Sequence, residues 1–111
     1  MPQQYQFSNI KASELADLLA QSKITLVDVR NADEVARGVI AGSAHLPLHL
    51  LPLKYKSLPT TLPIVFYCHS GVRSAHAADF LVSKGFENVH NLTGGILAWG
   101  QAGYALTSQK P

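Results

Sequence analysis

The sequence predicts an α/β fold built on a mostly parallel sheet, and three observations carry that reading. Two short runs, "ITLVDV" (24–29) and "PIVFYC" (63–68), are apolar and rich in β-branched or aromatic residues. They lack the alternation of a strand with one wet face, so they read as strands buried on both sides. Segments of helical period lie between the strands, the arrangement that requires right-handed crossovers. The 111 residues contain no internal repeat, low-complexity tract or linker. One domain, residues 1–111, follows.

The elements follow in chain order. "YQFSNI" (5–10) alternates and reads as an edge strand. "ASELADLLA" (12–20) sets Leu15, Leu18 and Leu19 on one helical face. After the strand at 24–29, "NADEVARG" (31–38) opens on Asn, carries acids in its first turn and stops at Gly, the pattern of a short helix. "AHLPL" (44–48) is a further short strand. Residues 48–63 read as a turn of helix followed by a proline-bounded loop. The strand at 63–68 leads to "VRSAHAADFLVSKG" (72–85), a helix with a stripe of Ala75, Ala78, Leu81 and Val82. Lys84 falls in its last turn, and Gly85 suits a left-handed cap. "NVHNL" (88–92) is a weaker strand. "GGILAWGQAG" (94–103) closes the chain as a helix, with Ile96, Leu97, Ala98 and Trp99 available for the core.

Composition excludes several classes. At 47% hydrophobic and 14% charged residues with net charge +2, the chain is that of an ordinary globular protein. No Lys/Arg cluster predicts a nucleic-acid or membrane partner. The first ten residues lack a secretory layout, and no apolar run approaches the ~18 residues of a membrane span. A single cysteine forbids an internal disulfide, a C-x-x-C pair and a cysteine-rich zinc site. His45, His49 and His90 have no metal-ligand spacing, and Gly94–Gly95 lacks the rest of a phosphate loop. The expectation is a cytoplasmic protein without metal or cofactor, a monomer or weak dimer.

The one cysteine stands at the carboxyl end of a predicted strand, followed by "HSGVR" and a helix start. Ligands of open α/β sheets bind beyond such ends. Gly71 permits backbone angles a side chain would forbid, so the loop can aim several N–H groups inward at an anion. Only the thiolate is nucleophilic. An ordinary thiol, with pKa ~8.5, must fall by roughly two to be mostly ionised at pH 7, about 2.7 kcal/mol of anion stabilisation. A helix terminus supplies ~0.3–1 kcal/mol. Loop N–H groups, with Arg73, must supply the remainder. The plainer alternative is Cys68 as a small buried hydrophobe.

These residues resemble the rhodanese-like family over most of the chain. "LVDVR" (26–30) resembles its strand ending in Asp-x-Arg, and "GVIAGSAHLPL" (38–48) its Gly-His-Ile-x-Gly-Ala-x-x-x-Pro segment. "CHSGVRS" (68–74) resembles its active-site loop, and "GFENVHNLTGGILAW" (85–99) its ending. The resemblance implies a five-stranded, mostly parallel sheet with helices on both faces. It also implies sulfur transfer through a Cys68 persulfide, from thiosulfate or a persulfide donor to a thiophilic acceptor such as cyanide. Phosphatases of this fold carry five residues between Cys and Arg; Cys68 and Arg73 enclose four, a smaller ring that favours sulfur over phosphate. Val39 replaces the family's histidine, and Val35 a position commonly aromatic. His69 and Ser70 replace the fixed cations found in efficient thiosulfate users.

Cys68 is thus the expected nucleophile, with His69, Ser70, Gly71, Val72, Arg73 and Ser74 lining the donor site. His69 faces either the pocket or solvent. Arg73 is expected to face the anion rather than pair with a carboxylate. Ser70 and Ser74 either donate hydroxyl hydrogen bonds to the persulfide or serve the turn and helix start. Asp28 and Arg30, on the same sheet edge, are expected to order neighbouring loops. The rival reading is a sulfur-relay or protein-interaction module with little thiosulfate activity, its donor a protein persulfide.

Overall fold

The two apolar runs form the middle of the sheet. In the computed structural model, which describes residues 7–108, the strands are β1 (Ser8–Ile10), β2 (Thr25–Asp28), β3 (Ala44–His45), β4 (Ile64–Tyr67) and β5 (Val89–Leu92). Their order is β1-β5-β4-β2-β3, and every pairing is parallel. All four residues of β4 are buried. Because successive side chains point to opposite faces, Ile64 and Phe66 enter one core cluster and Val65 and Tyr67 the other. Residues 5 and 6 of the predicted edge strand lie outside the described residues.

Helices cover both faces. Helix α1 (Ala12–Ala20) and helix α5 (Gly95–Gln101) bury Ala12, Leu15, Ile96 and Trp99 against Leu26, Val65 and Leu92. On the other face α3 (Leu51–Lys54) and α4 (Val72–Ser83) bury Leu51, Ala77, Ala78, Leu81 and Val82 against Val27, Phe66 and Val89. A short α2 (Ala32–Val35) follows β2; a capping box, with Asn31 and Glu34 exchanging bonds, starts it. Residues 48–57 form short helical turns around α3, and 58–63 a loop, as the prolines suggested. Among the described residues no helix is long and apolar enough to cross a membrane.

The differences from the sequence reading have physical causes. Strand β3 is short because the chain enters a helical turn at Leu48; the Leu46 and Leu48 N–H groups still donate to the Asp28 and Val29 carbonyls at 2.9 and 3.0 Å. In α4 the buried row runs Ser74, Ala77, Ala78, Leu81 and Val82, so Ala75 lies beside it. A count of apolar residues passes over Ser74, the polar residue at the head of that row. In α5, Leu97 is 44% exposed rather than core, because Ile96 and Trp99 already fill the sheet-facing side. Val35 and Val39 are both buried.

Tyr67 ties the β2–β3 crossover to the central strand. The Ile40 N–H donates to its hydroxyl oxygen at 3.0 Å, and Ser43 Oγ lies 3.2 Å from the same atom. Burial pushes the phenol well above its ordinary pKa. A Tyr67→Phe protein leaves the buried Ile40 N–H without its acceptor, at a cost of about 1–3 kcal/mol. Urea denaturation should show a lower midpoint with an unchanged slope.

Candidate functional site

A parallel sheet places every strand's carboxyl end on one edge, and there Cys68 follows β4 while Asp28 closes β2. The chain must turn from strand to helix within residues 68–71. Gly71 makes this possible as the residue preceding α4, with φ of 103°. It also abuts β5: a Cβ there would lie 3.3 Å from the Gly94 nitrogen and 3.4 Å from the Leu92 oxygen.

This turn aims donors at the sulfur. Cys68, 1% exposed, accepts from the Gly71 N–H at 3.2 Å, the Ser74 N–H at 3.4 Å and the Ser74 hydroxyl at 3.4 Å. Burial alone pushes the thiol up. The Ser74 hydroxyl and the amides of Ser74, Gly71 and Ser70 outweigh it, so the thiol lies below its ordinary pKa. The Ser74 hydroxyl has one proton and two acceptors, since Asn91 Oδ1 lies 2.5 Å away. The amides face no such competition.

Helix α5 holds the loop from behind. The Ile96 and Leu97 N–H groups donate to the Cys68 and His69 carbonyls at 2.9 and 3.2 Å, so these carbonyls point away from the sulfur.

 The His69 carbonyl is one of the two groups that exclude a side chain at Gly95, where a Cβ would lie 2.4 Å from the His69 oxygen and 2.6 Å from the Cys68 oxygen. Gly95 also sits at φ 62°, which favours glycine on its own account. Asn91 on β5 completes the support, its Nδ2 donating to the Gly71 carbonyl at 3.4 Å and to Asn9 Oδ1 at 3.2 Å.

The charged residues are spent on one another. Arg73 does not point at the sulfur: its guanidinium makes a two-pronged pair with Glu34 of α2, at 2.6 and 2.8 Å. The anion-facing orientation expected from sequence therefore gives way to pairing with a carboxylate. The Arg73 bond holds Glu34 down at about 2, and Glu34 in turn raises Arg73. Arg30, unlike Arg73, is buried; it binds the Asp28 carboxylate through Nε and Nη2 and donates from Nη2 to the Gly38 carbonyl at 2.7 Å. The Arg30 carbonyl meets His45 Nε2 at 2.7 Å, so Arg30 joins the chain after β2 both to Gly38 and to β3. His69, Ser70 and Val72 are exposed at the mouth of the loop.

Sequence reasoning missed Glu34, Asn91 and Gly95. Asn91 carried a signal, a polar residue inside an otherwise apolar strand, which when buried needs partners. Gly95 carried another, a second glycine at a helix start. Glu34 had none, because its partner is 39 positions away.

The fold and site define the class: an α/β protein with a buried thiol solvated by backbone amides on the carboxyl edge of its parallel sheet, where open sheets bind ligands. Residues 11–102 match the rhodanese-like domain, and the chain belongs to that family. It is 36% identical over 102 residues to a sulfurtransferase of Allochromatium vinosum, covering 91% of this chain and 95% of that one. It is 35% identical to the thiosulfate sulfurtransferase GlpE of Stutzerimonas stutzeri, covering 78% and 79%. The crystal structure of a rhodanese-related protein from Thermoplasma volcanium superposes with a TM-score of 0.86 at 32% identity, covering 93% of this chain and all of that one. These relatives support sulfurtransferase activity in general for the chain.

Two predictions follow from this geometry. Gly95→Ala drives a methyl group into two backbone carbonyls that cannot step aside, at a cost of about 2 kcal/mol or more. Thermal unfolding should fall by roughly 8 °C. For the ion pair, Glu34 is ionised far more readily folded than unfolded, so its contribution is full above its ordinary value of 4.5 and disappears as pH falls toward about 2. Arg73 is 35% exposed, so solvent screening limits the pair to about 1 kcal/mol. Stability measured across that acid range should be flatter for Glu34→Gln than for the parent.

Proposed function

We propose that the chain moves sulfane sulfur through a persulfide on Cys68. The observation that carries the reading is the convergence of the Gly71 and Ser74 amides and the Ser74 hydroxyl on one buried sulfur. A structural cysteine needs no donors. A thiolate, and a persulfide anion after it, needs several.

The chemistry runs in two displacements. The Cys68 thiolate attacks the outer sulfur of thiosulfate, the S–S bond to sulfur(IV) breaks, and sulfite leaves with the electron pair. The adduct is Cys68–S–S⁻, its terminal charge facing the loop's amides. An acceptor such as cyanide then attacks the terminal sulfur, thiocyanate departs, and the thiolate returns. Neither half-reaction calls for a metal or an organic cofactor. His69, Ser70, Gly71, Val72, Arg73 and Ser74 frame the donor site, through main-chain groups more than side chains. Asp28 and Arg30 hold the neighbouring segments in place. A free thiol as catalyst suits a reducing compartment such as the cytoplasm, and nothing in the mechanism calls for nucleic acid or membrane.

A second reading draws on the Arg73–Glu34 pair. With that guanidinium engaged, a dianion approaching a thiolate meets no free loop cation, which favours a persulfide donor, small or protein-borne, over thiosulfate. The chain would then act as a sulfur relay with weak thiosulfate activity. The ring of four residues between Cys68 and Arg73 argues against phosphate in either case.

Donor-treated parent protein should gain the mass of one sulfur atom on Cys68, and Cys68→Ser should gain none; sulfur retained by the serine protein would overturn the mechanism. Single-turnover rates should rise with pH as the thiol ionises. In Ser74→Ala the rise should move to higher pH, since a donor to the thiolate is gone, with a several-fold loss of rate near neutrality.

A further inference from the structure

Beside the Cys68 loop lies a cavity of about 490 Å³, with His69, Arg37, Leu97 and Leu106 in its walls. Leu106 stands next to the antiparallel bridge in which Thr107 and Val39 exchange both backbone hydrogen bonds. The groups that hydrogen-bond the sulfur are not in those walls. They come from Gly71 and Ser74, and behind Ser74 a polar chain runs on to β5 and β1.

Ser74 Oγ lies 3.4 Å from the sulfur and 2.5 Å from Asn91 Oδ1 on β5. Asn91 Nδ2 donates to the Gly71 carbonyl at 3.4 Å and to Oδ1 of Asn9 at 3.2 Å. The strand register sets Asn9 of β1 directly opposite Asn91. Ser74 is completely buried and Asn91 is 5% exposed, so neither can turn to water instead.

This chain has a direction. A carbonyl only accepts, so the Gly71 oxygen obliges the Asn91 amide to face it with its nitrogen. The Asn91 oxygen is left facing Ser74, and it too only accepts. The bond between them therefore uses the hydroxyl proton. While it does, Ser74 turns a lone pair toward the sulfur. A lone pair suits a thiol, which can donate to it, whereas a thiolate needs the proton. The shorter distance is the one to Asn91, and the proton lies there.

Charged groups around the loop offer no competing control. Arg73 is matched to Glu34 of α2, and Arg30 to Asp28 of β2. His69 and His76 are exposed, and α5 carries no charged side chain. His90 of β5 projects to the face opposite Asn91, because neighbours on a strand alternate.

We infer that Asn91 is a positioning residue for the reaction at Cys68, holding the Ser74 proton in the thiol state and yielding it to the sulfur when the thiolate forms. The inference rests on Cys68 being the sulfur carrier, and it adds what restrains the charge there. Only the direction of the O–H bond changes; its proton stays on Ser74, and the thiol's own proton passes to water. In the second displacement the acceptor takes the terminal sulfur, the S–S bond breaks, and the electron pair stays on Cys68 Sγ. A hydroxyl turned toward that pair makes Cys68 a better leaving group. Asn91 opposes the turn, so it restrains both ionisation and hand-off.

The test removes the acceptor and keeps its shape. In Asn91→Leu the Gly71 carbonyl retains the Ala75 N–H at 3.2 Å, so the loop keeps a partner there. Ultraviolet absorbance of the thiolate, followed across pH in the full chain, should show Asn91→Leu ionising at lower pH than the parent. Single-turnover loading below neutrality should rise several-fold, and hand-off to cyanide should quicken. In a Ser74→Ala background the same substitution should change neither. A role in stiffening the loop predicts the reverse sign, since a loosened loop solvates the anion less well. Asn91→Asp, whose carboxylate grips the hydroxyl proton more firmly, should ionise at higher pH, by a margin that shrinks with Ser74→Ala. Should thermal unfolding show that Asn91→Leu does not fold, the Asp variant decides. A Leu titration that is unmoved, moves upward, or moves equally without Ser74 overturns the inference, as does an Asp margin indifferent to Ser74. If Cys68 of the parent gains no sulfur from any donor, the carrier reading falls instead, whatever the titrations show.

Discussion

A cysteine that is 1% exposed cannot rely on water to hold a charge on its sulfur, so the chain must solvate it. This requirement explains the local sequence better than any list of reactive side chains. The donors are the Gly71 and Ser74 amides with the Ser74 hydroxyl, and they converge because the loop turns into α4 within four residues. The turn needs Gly71, and the opposing carbonyls of Cys68 and His69 need partners of their own. The first N–H groups of α5 provide them, which brings two backbones so close that only glycine fits at position 95. One electrostatic need thus dictates two glycines, two helix starts and the approach of β5.

The site separates charge from dipole. Both arginines near the sulfur are matched to carboxylates, Arg30 to Asp28 and Arg73 to Glu34. These pairs lock segments: the first joins the chain after β2 to Gly38, the second pins α4 to α2. Fixed backbone dipoles remain to face the Cys68 sulfur, and they need no reorganisation when its charge changes. A side-chain cation in the same place would carry more charge, but it would also bring mobility and a counterion.

Much of the fold was legible because it is local. The runs at 24–29 and 63–68 have no hydrophilic face, and a strand without one belongs inside a parallel sheet. Gly71 between Cys68 and a helix start marked the loop in the same way. What escaped was what depends on contacts remote in sequence. The partner of Arg73 is 39 positions off and that of Ser74 is 17, and neither spacing has a period to betray it. Leu97 misled for a related reason: a hydrophobic residue in a helix is assigned to the core by default, and only the positions of Ile96 and Trp99 reveal which side the sheet occupies.

The bridge between Val39 and Thr107 lies partly beyond the stretch that defines the family, which ends at residue 102. Leu106 therefore lines the cavity beside the Cys68 loop from a segment outside that stretch. The other residues that line it, Arg37, His69 and Leu97 among them, lie inside that stretch. A change in that tail would reshape one wall of the cavity and leave the turn around Cys68 as it is.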